Sequence, residues 1–239
     1  MKSQTIRFLR TTTLVAIGLG VHSLANAATL EIEITNLTQG ITFTPFIVTT
    51  HQAPHQFFKT GTTASNSLQK MAEGGNIAGL ESDAMAAGAT VVANPNQGLL
   101  APGMSVASFD IEASDGAMLS LASMLLPTND GFAGIDSWAI PTEKGSYNIW
   151  VSAYDAGTEI NNELIVAGAG GPGQIGIPAN PSGQGGTNGS GVSTTEENMT
   201  IHIHRGNLGD DDDMAGKSDL NNTVHRWLNP VLKVTVTVK

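Results

Sequence analysis

Short segments in which apolar residues alternate with polar ones recur along this chain and constrain its fold more than any other feature. In TLEIEIT (29–35) every second residue is Leu or Ile, and VLKVTVTVK (231–239) repeats the pattern. Such alternation places successive side chains on opposite faces of a β-strand. The same pattern predicts strands at 41–50, 105–113, 117–126, 146–153 and 198–204. Seven strands of this kind predict an all-β chain, folded as an antiparallel β-sandwich.

Two local signals refine this strand assignment. Pro45 lies inside the 41–50 segment, which indicates an edge strand or a bulge because proline has no backbone N–H to donate. The sequence ASDGA (113–117) lies between two predicted strands and predicts a hairpin turn.

Two stretches of different composition lie in the connections between strands. Residues 64–73 and 77–87 are rich in Ala, Met, Leu and Glu and are bounded by Gly or Asn, which predicts one or two short helices. Residues 167–191 contain too much glycine and proline for a helix or a central strand and predict a long loop. This loop is either a flexible insertion, which we favour because polar insertions destabilise little, or a binding loop.

The beginning of the sequence has the organisation of a cleaved secretory signal. Lys2, Arg7 and Arg10 precede an interrupted apolar run that ends in Ala-Asn-Ala, a pattern typical of a signal peptidase site. We therefore predict a signal peptide over 1–27, one domain over 28–239 and an exported protein, either periplasmic or secreted. A retained anchor is the weaker interpretation, since no second apolar span follows and none is expected in the mature chain.

Composition excludes several classes of protein. The chain has 21 Asp and Glu against 11 Lys and Arg, a formal net charge of −10, and loss of the signal would make it more negative. This balance argues against a nucleic-acid partner, because phosphates need a basic surface, and favours cation binding where acids cluster. The chain has no cysteine, so disulfides, thiolate catalysis and Fe–S clusters are excluded.

Two motifs place acids at the ends of predicted strands. LLPTNDGFAGIDS contains Asp130, and YDAGTE places Asp155 and Glu159 on one turn. Hard divalent cations bind several carboxylate and carbonyl oxygens at one point, so acids on neighbouring loops are candidate ligands. From spacing alone, solvated surface carboxylates are the simpler interpretation.

Taken in order, these motifs resemble the spondin N-terminal domain family in its bacterial form. SMLLPTNDGFAG (123–134) is similar to the family run Ser-Met-hydrophobic-x-Pro-Ser-x-Asp-x-Phe-x-Gly, DAGTE (155–159) to Asp-Ala-Gly-Thr-Asp, and Asn229-Pro230 to the Asn-Pro of the last strand. The resemblance extends over about 30–239. It implies a β-sandwich similar to a C2 domain, a divalent cation at one end, and extracellular adhesion or matrix binding rather than catalysis.

By position, the resemblance implies that Asp130, Asp155 and Glu159 bind the cation, Ca²⁺ or another divalent ion. Glu159 stands where the family has aspartate, which keeps the charge and lengthens the side chain by a methylene. Gly131 replaces an aromatic residue that is common in animal members. The expected partner is a protein or glycan at a cell surface or in a matrix. Three nearby acids are lesser candidates: Asp136, Glu143 and Glu163.

Histidines and a run of aspartates form two further candidate sites. On a strand, His202 and His204 share one face about 7 Å apart, which suits zinc or copper if a third ligand such as His225 lies close. Two polar residues on an exposed face are the favoured interpretation. The run Asp210 to Asp213 does not follow the EF-hand pattern, and it predicts an exposed loop with at most weak calcium association.

The chain is not predicted to be an enzyme. It lacks G-x-S-x-G, H-E-x-x-H and a phosphate-binding glycine motif before a helix. The main alternative is a metal-dependent hydrolase that uses the same acids or the His202/His204 pair. A structural metal with the function elsewhere is a further alternative. Three tryptophans favour packing over a carbohydrate-stacking platform: Trp138, Trp150 and Trp227.

Overall fold

The computed structural model of the chain describes residues 27–239, so the predicted signal peptide falls, except for its last residue, outside the described residues. The described part forms eleven strands and two helices. In chain order they are β1 (Ala28–Asn36), β2 (Thr42–Phe43), β3 (Ile47–His51), α1 (Asn66–Gly74), α2 (Ala78–Ala86), β4 (Thr90–Ala93), β5 (Ser105–Ala113), β6 (Met118–Leu126), β7 (Gly131–Ala139), β8 (Gly145–Val151), β9 (Ala153–Asp155), β10 (His202–Ile203) and β11 (Leu232–Val238).

The strands form two antiparallel sheets, which confirms the predicted all-β sandwich. One sheet has the order β5-β1-β11-β8, and the other has the order β10-β9-β7-β6-β3-β4, with β2 paired to β6. The first and last strands are neighbours, with Leu30 opposite Val238 and Ile32 opposite Val236. All four of these side chains belong to the main core between the sheets. The alternation in the sequence therefore correctly predicts which side chains of β1 and β11 face the core.

A second core lies on the outer face of the larger sheet, where the two predicted helices pack. Leu68, Met71 and Leu80 of the helices join Met124 and Phe132 of the sheet in one buried cluster. Helix α1 begins at a capping serine and ends before a glycine in the left-handed conformation. Because the larger sheet is covered on both faces, β6 is a nearly continuous buried apolar run.

Several predicted strand assignments are wrong in detail. The 41–50 segment divides into β2 and β3 on either side of Pro45. The predicted hairpin at 113–117 is not one, because β5 pairs with β1 and β6 pairs with β3 and β7, so the chain crosses between sheets there. The 146–153 segment divides into β8 and β9, and only His202–Ile203 of the 198–204 segment is strand.

Two strands, β4 and β7, were not predicted. Strand β7 contains Gly131 and Gly134, and glycine disfavours a strand assignment from sequence alone. The structure gives the reason for Gly134: a Cβ atom there would lie 2.5 Å from Cε1 of Phe58. Between residues 27 and 239, no helix is long and apolar enough to cross a membrane.

Candidate cation site

The β6–β7 turn and the end of β9 lie side by side because β7 and β9 pair. Gly131 is opposite Asp155, and the main-chain N–H of Ala156 donates to the carbonyl oxygen of Asp130 at 3.2 Å. Thr128 closes the turn, since its Oγ1 accepts from the N–H of Gly131 at 3.0 Å. Asp130 and Asp155, which are well separated in sequence, are therefore neighbours in the fold.

Asp130 is fully buried, and its two carboxylate oxygens differ in their contacts. Oδ2 accepts from the N–H of Thr158 at 2.7 Å and from the N–H of Glu159 at 3.1 Å. Oδ1 has no hydrogen-bond donor. Burial, followed by the nearby charge of Asp155, raises the pKa of Asp130 to about 8. One oxygen is thus fixed by the backbone, and the other is buried without a partner.

Glu159 repeats this arrangement. It is 5% exposed, and its Oε2 accepts from Asn129 Nδ2 at 3.2 Å and from the N–H of Gly176 at 3.1 Å. Its Oε1 has no donor. Burial raises the pKa of Glu159 to about 7. The sequence did not predict the contributions of Asn129 and Gly176; the position of Asn129 beside Asp130 in the motif was the one available signal.

Asp155 occupies the boundary between these acids and the two histidines. Its Oδ1 accepts from the N–H of Gly157 at 2.8 Å, and its Oδ2 accepts from Asn161 Nδ2 at 2.6 Å. Gly157 has φ +67, and a Cβ atom there would lie 2.7 Å from the main-chain nitrogen of Thr200. The turn therefore requires glycine, for its conformation and for the close approach of the backbone.

Little positive charge faces these three acids. Within the described residues, His202 is the one basic side chain paired with any of them, with Nε2 3.7 Å from Oδ2 of Asp155. Between residues 27 and 239, no group of three or more His, Asp or Glu side chains is arranged to hold a metal ion as it stands. Asp130 is thus close to Asp155 and Glu159 in the fold, but the three carboxylates as placed do not form a metal-binding group.

The lesser acidic candidates do not join this group. Glu163 is buried, but its carboxylate accepts from the N–H of Gly209 at 2.9 Å and from Ser218 Oγ at 2.6 Å. Asp136 and Glu143 are exposed. In the aspartate run, Oδ2 of Asp210 accepts from two main-chain N–H groups, which lowers its pKa. The next three aspartates are exposed, as the sequence predicted: Asp211, Asp212 and Asp213.

The histidine pair lies beside Asp155, but its geometry does not favour a metal. His204 is buried, its Nδ1 accepts from the N–H of Gly206 at 3.0 Å, and its Nε2 has no partner. Burial lowers the pKa of His204 to about 4, so the ring is neutral near pH 7 and carries its proton on Nε2. His225 contacts Ser182 and Asn221 through its ring nitrogens, so neither is free as a third ligand.

A cavity of about 650 Å³ opens next to Asp155 and the histidines. Charged residues of both signs line it, among them Glu196, Glu197 and Arg205. Asp155 thus borders both the buried acids and an open cavity.

The glycine-rich segment 167–191 has no strand or helix, as predicted, and contacts the candidate site. Gly176 donates to Glu159, and the adjacent Ile177 is fully buried. The segment therefore covers part of the acidic site, a contact that the favoured interpretation of the sequence, a flexible insertion between two strands, does not predict.

Two antiparallel sheets packed face to face, with buried acids where connections leave the larger sheet, define an all-β sandwich module with a candidate ligand site on its loops. The family model described as Spondin_N matches residues 35–162, more than half of the chain and including all three acids. The chain therefore belongs to the spondin N-terminal domain family. A comparison with curated proteins gives no match.

Proposed function

We propose that the protein is an exported, calcium-binding interaction module of the spondin type. The observation that carries this proposal is a pair of orphaned oxygens: Oδ1 of Asp130 and Oε1 of Glu159 are buried and have no hydrogen-bond donor. Burying a polar group without a hydrogen-bond partner destabilises a fold by about 2–7 kcal/mol. A carboxylate oxygen in this position therefore needs a cation or a proton to compensate it. A cation shared by these oxygens and Asp155 removes that penalty.

The residues of the site favour calcium over zinc or copper. All the orphaned atoms of Asp130 and Glu159 are carboxylate oxygens, which suit hard cations. The neighbouring nitrogen, Nε2 of His204, carries the proton in the neutral ring and is not available to a metal. Ca²⁺ also tolerates irregular coordination, which fits carboxylates that are already partly engaged by backbone N–H groups.

In the proposed mechanism, ionisation of Asp130 and Glu159 is unfavourable without metal, because both carboxylates are buried and Asp130 also lies beside Asp155. Residues of the β6–β7 turn and of the segment after β9 would hold Ca²⁺, which would supply the compensating charge there. The chain's own contribution is to hold one oxygen of Asp130 and one of Glu159 with N–H donors, so that the other oxygens stay available. A remaining coordination position would accept an acidic group of a protein or glycan partner, which is how the module would mediate adhesion.

A titration with calcium after chelation tests this proposal. The melting temperature of the wild type should rise with calcium, since a ligand at 100 times its Kd stabilises by about 2.7 kcal/mol. The double variant Asp155→Ala, Glu159→Ala should show no rise, and Glu143→Gln, at an exposed acid, should match the wild type. No calcium response in the wild type would refute the proposal.

The cavity beside Asp155 supports one competing proposal, a metal-dependent hydrolase. His202 Nε2 and Asp155 Oδ2 face each other at 3.7 Å on its wall. Turnover of an ester or glycoside that disappears in His204→Ala would favour this enzyme over the binding module. The spondin family is not a known enzyme family, so the binding module is the conclusion we adopt.

A further inference from the structure

A fourth buried carboxylate lies at the end of α1, at a position that the sequence motifs did not single out. Glu73 is fully buried. Its Oε1 accepts from Gln69 Nε2 at 2.7 Å, and its Oε2 has no donor. The helix ends at Gly74, so the carboxylate sits at the negative end of the helix dipole, where an anion is least favoured.

Nothing in the described residues compensates this charge. None of the ion pairs between residues 27 and 239 involves Glu73. Three other buried residues of the same helix are apolar and belong to the second core: Leu68, Met71 and Ala72. An apolar residue would satisfy this position better if packing were its only role, because it would need no partner.

The glycine-rich segment connects Glu73 to Glu159. A Cβ atom on Gly74 would lie 2.0 Å from the carbonyl oxygen of Gly170, so the segment packs directly on the end of α1. Six residues later, the N–H of Gly176 donates to Oε2 of Glu159. The segment also folds back on itself, since a Cβ atom on Gly170 would lie 3.0 Å from Cβ of Pro178. Both acids therefore lie under the same short stretch of chain.

The two acids also share the same unmet requirement. Oε2 of Glu73 and Oε1 of Glu159 are both buried and have no hydrogen-bond donor. Two such oxygens under one stretch of chain favour a cation near both of them, because burial without a partner is costly.

We infer that Glu73 is a further acidic ligand of the cation site, on the side that faces α1 and the glycine-rich segment. This inference rests on the proposed calcium binding. It also extends that proposal, because four carboxylates from three segments of the chain suit the six to eight oxygen ligands of Ca²⁺ better than the small, strictly octahedral shell of Mg²⁺. Cation binding then ties the helix, the larger sheet and the glycine-rich segment together.

Calorimetric titration with CaCl₂ and with MgCl₂, on chelator-treated protein, tests this inference. Glu73→Gln keeps the side-chain shape and an oxygen for Gln69 but removes the charge. We expect its Kd for Ca²⁺ to rise about tenfold or more, while the midpoint of unfolding in chelator stays equal or increases. Glu143→Gln removes an exposed acid and should match the wild type in both measurements. A purely structural role for Glu73 predicts the opposite: a lower midpoint in chelator and an unchanged Kd.

The outcomes separate this inference from the proposal on which it rests. If the wild type binds Ca²⁺ and Glu73→Gln binds it equally tightly, Glu73 is not a ligand and the three-acid site stands. If the wild type does not bind Ca²⁺, both are refuted. If Glu73→Gln fails to fold, Glu73→Asp is the second test, because it keeps the charge but shortens the side chain. A ligand role predicts that its Kd for Ca²⁺ is several-fold higher than that of the wild type. An unchanged Kd would overturn the inference.

Discussion

The main-chain N–H of Gly176 donates a 3.1 Å hydrogen bond to Oε2 of Glu159. This bond joins the glycine-rich segment to the acid that is last in the DAGTE motif. Gly176 has φ +135, and a Cβ atom there would lie 2.5 Å from Cγ2 of Val166. The position therefore requires glycine for conformation and space, and the donor that orients Glu159 depends on it.

Replacement of Gly176 should disturb both the fold and the site. We expect Gly176→Ala to lower the free energy of unfolding by about 1–3 kcal/mol, because the added methyl group overlaps Val166 and the backbone is strained. Denaturant unfolding measures this change. Gly171→Ala is the matched control, since a Cβ atom at Gly171 meets nothing within 4 Å. Equal stability of the two variants would contradict this account of the segment.

An additional acid beside Glu159 should strengthen the dependence on calcium. Asn129 donates through Nδ2 to Glu159 at 3.2 Å, so Asn129→Asp replaces a donor by a charge of the same sign as its acceptor. In chelator we expect a lower melting temperature than in the wild type, and a larger rise on addition of calcium. Scanning calorimetry at matched calcium concentrations measures both. Asn148→Asp, at an exposed position, should change neither value appreciably.

The free energy of unfolding should fall with rising pH where Asp130 and Glu159 lose their protons. The folded-state pKa values of Asp130 and Glu159 are raised to about 8 and about 7, so the folded state binds protons that the unfolded state has released. Stability from these groups is present at low pH and is lost as the pH rises through those values. His204, with its pKa lowered to about 4, acts in the opposite direction, but only below the unfolded value of about 6.5.

The range from about pH 6.5 to 8 therefore isolates the two acids. In chelator we expect the free energy of unfolding to fall by about 2 kcal/mol over that range. With saturating calcium the fall should largely disappear, because the metal stabilises the deprotonated carboxylates. Urea unfolding at several pH values measures both series. A rise in stability with pH in chelator, or identical slopes with and without calcium, would contradict the assignment.

Strand β7 depends on a close contact between a glycine and an aromatic ring. A Cβ atom on Gly134 would lie 2.5 Å from Cε1 of Phe58, and Phe58 packs edge-on against Phe132 at a centroid distance of 5.0 Å. We expect Gly134→Ala to destabilise the protein by about 1–3 kcal/mol. In a double-mutant cycle, Phe58→Leu should reduce that loss, since the shorter side chain leaves room. Strict additivity would show that the two residues do not interact.

The sequence by itself determined the fold class, several of the strands and both helices of this protein. Alternation identified β1 and β11, whose inward residues Ile32 and Val236 face each other in the core. Composition and end signals identified α1 and α2 close to their observed bounds. The spondin resemblance agrees with the family match and pointed to Asp130, Asp155 and Glu159, and the pairing of β7 with β9 brings the first two of these acids together.

Only the tertiary structure decided which strands pair and which polar groups are left without partners. The turn at 113–117 looks the same in sequence whether it closes a hairpin or crosses between sheets, and the structure shows a crossing. In the sequence Glu73 resembles any helical glutamate, and only the folded chain shows that it is fully buried. The physical reason is common to both cases. Periodicity and capping are set by residues close in sequence, whereas strand partners, burial and unpaired charge depend on segments that meet only when the whole chain has folded.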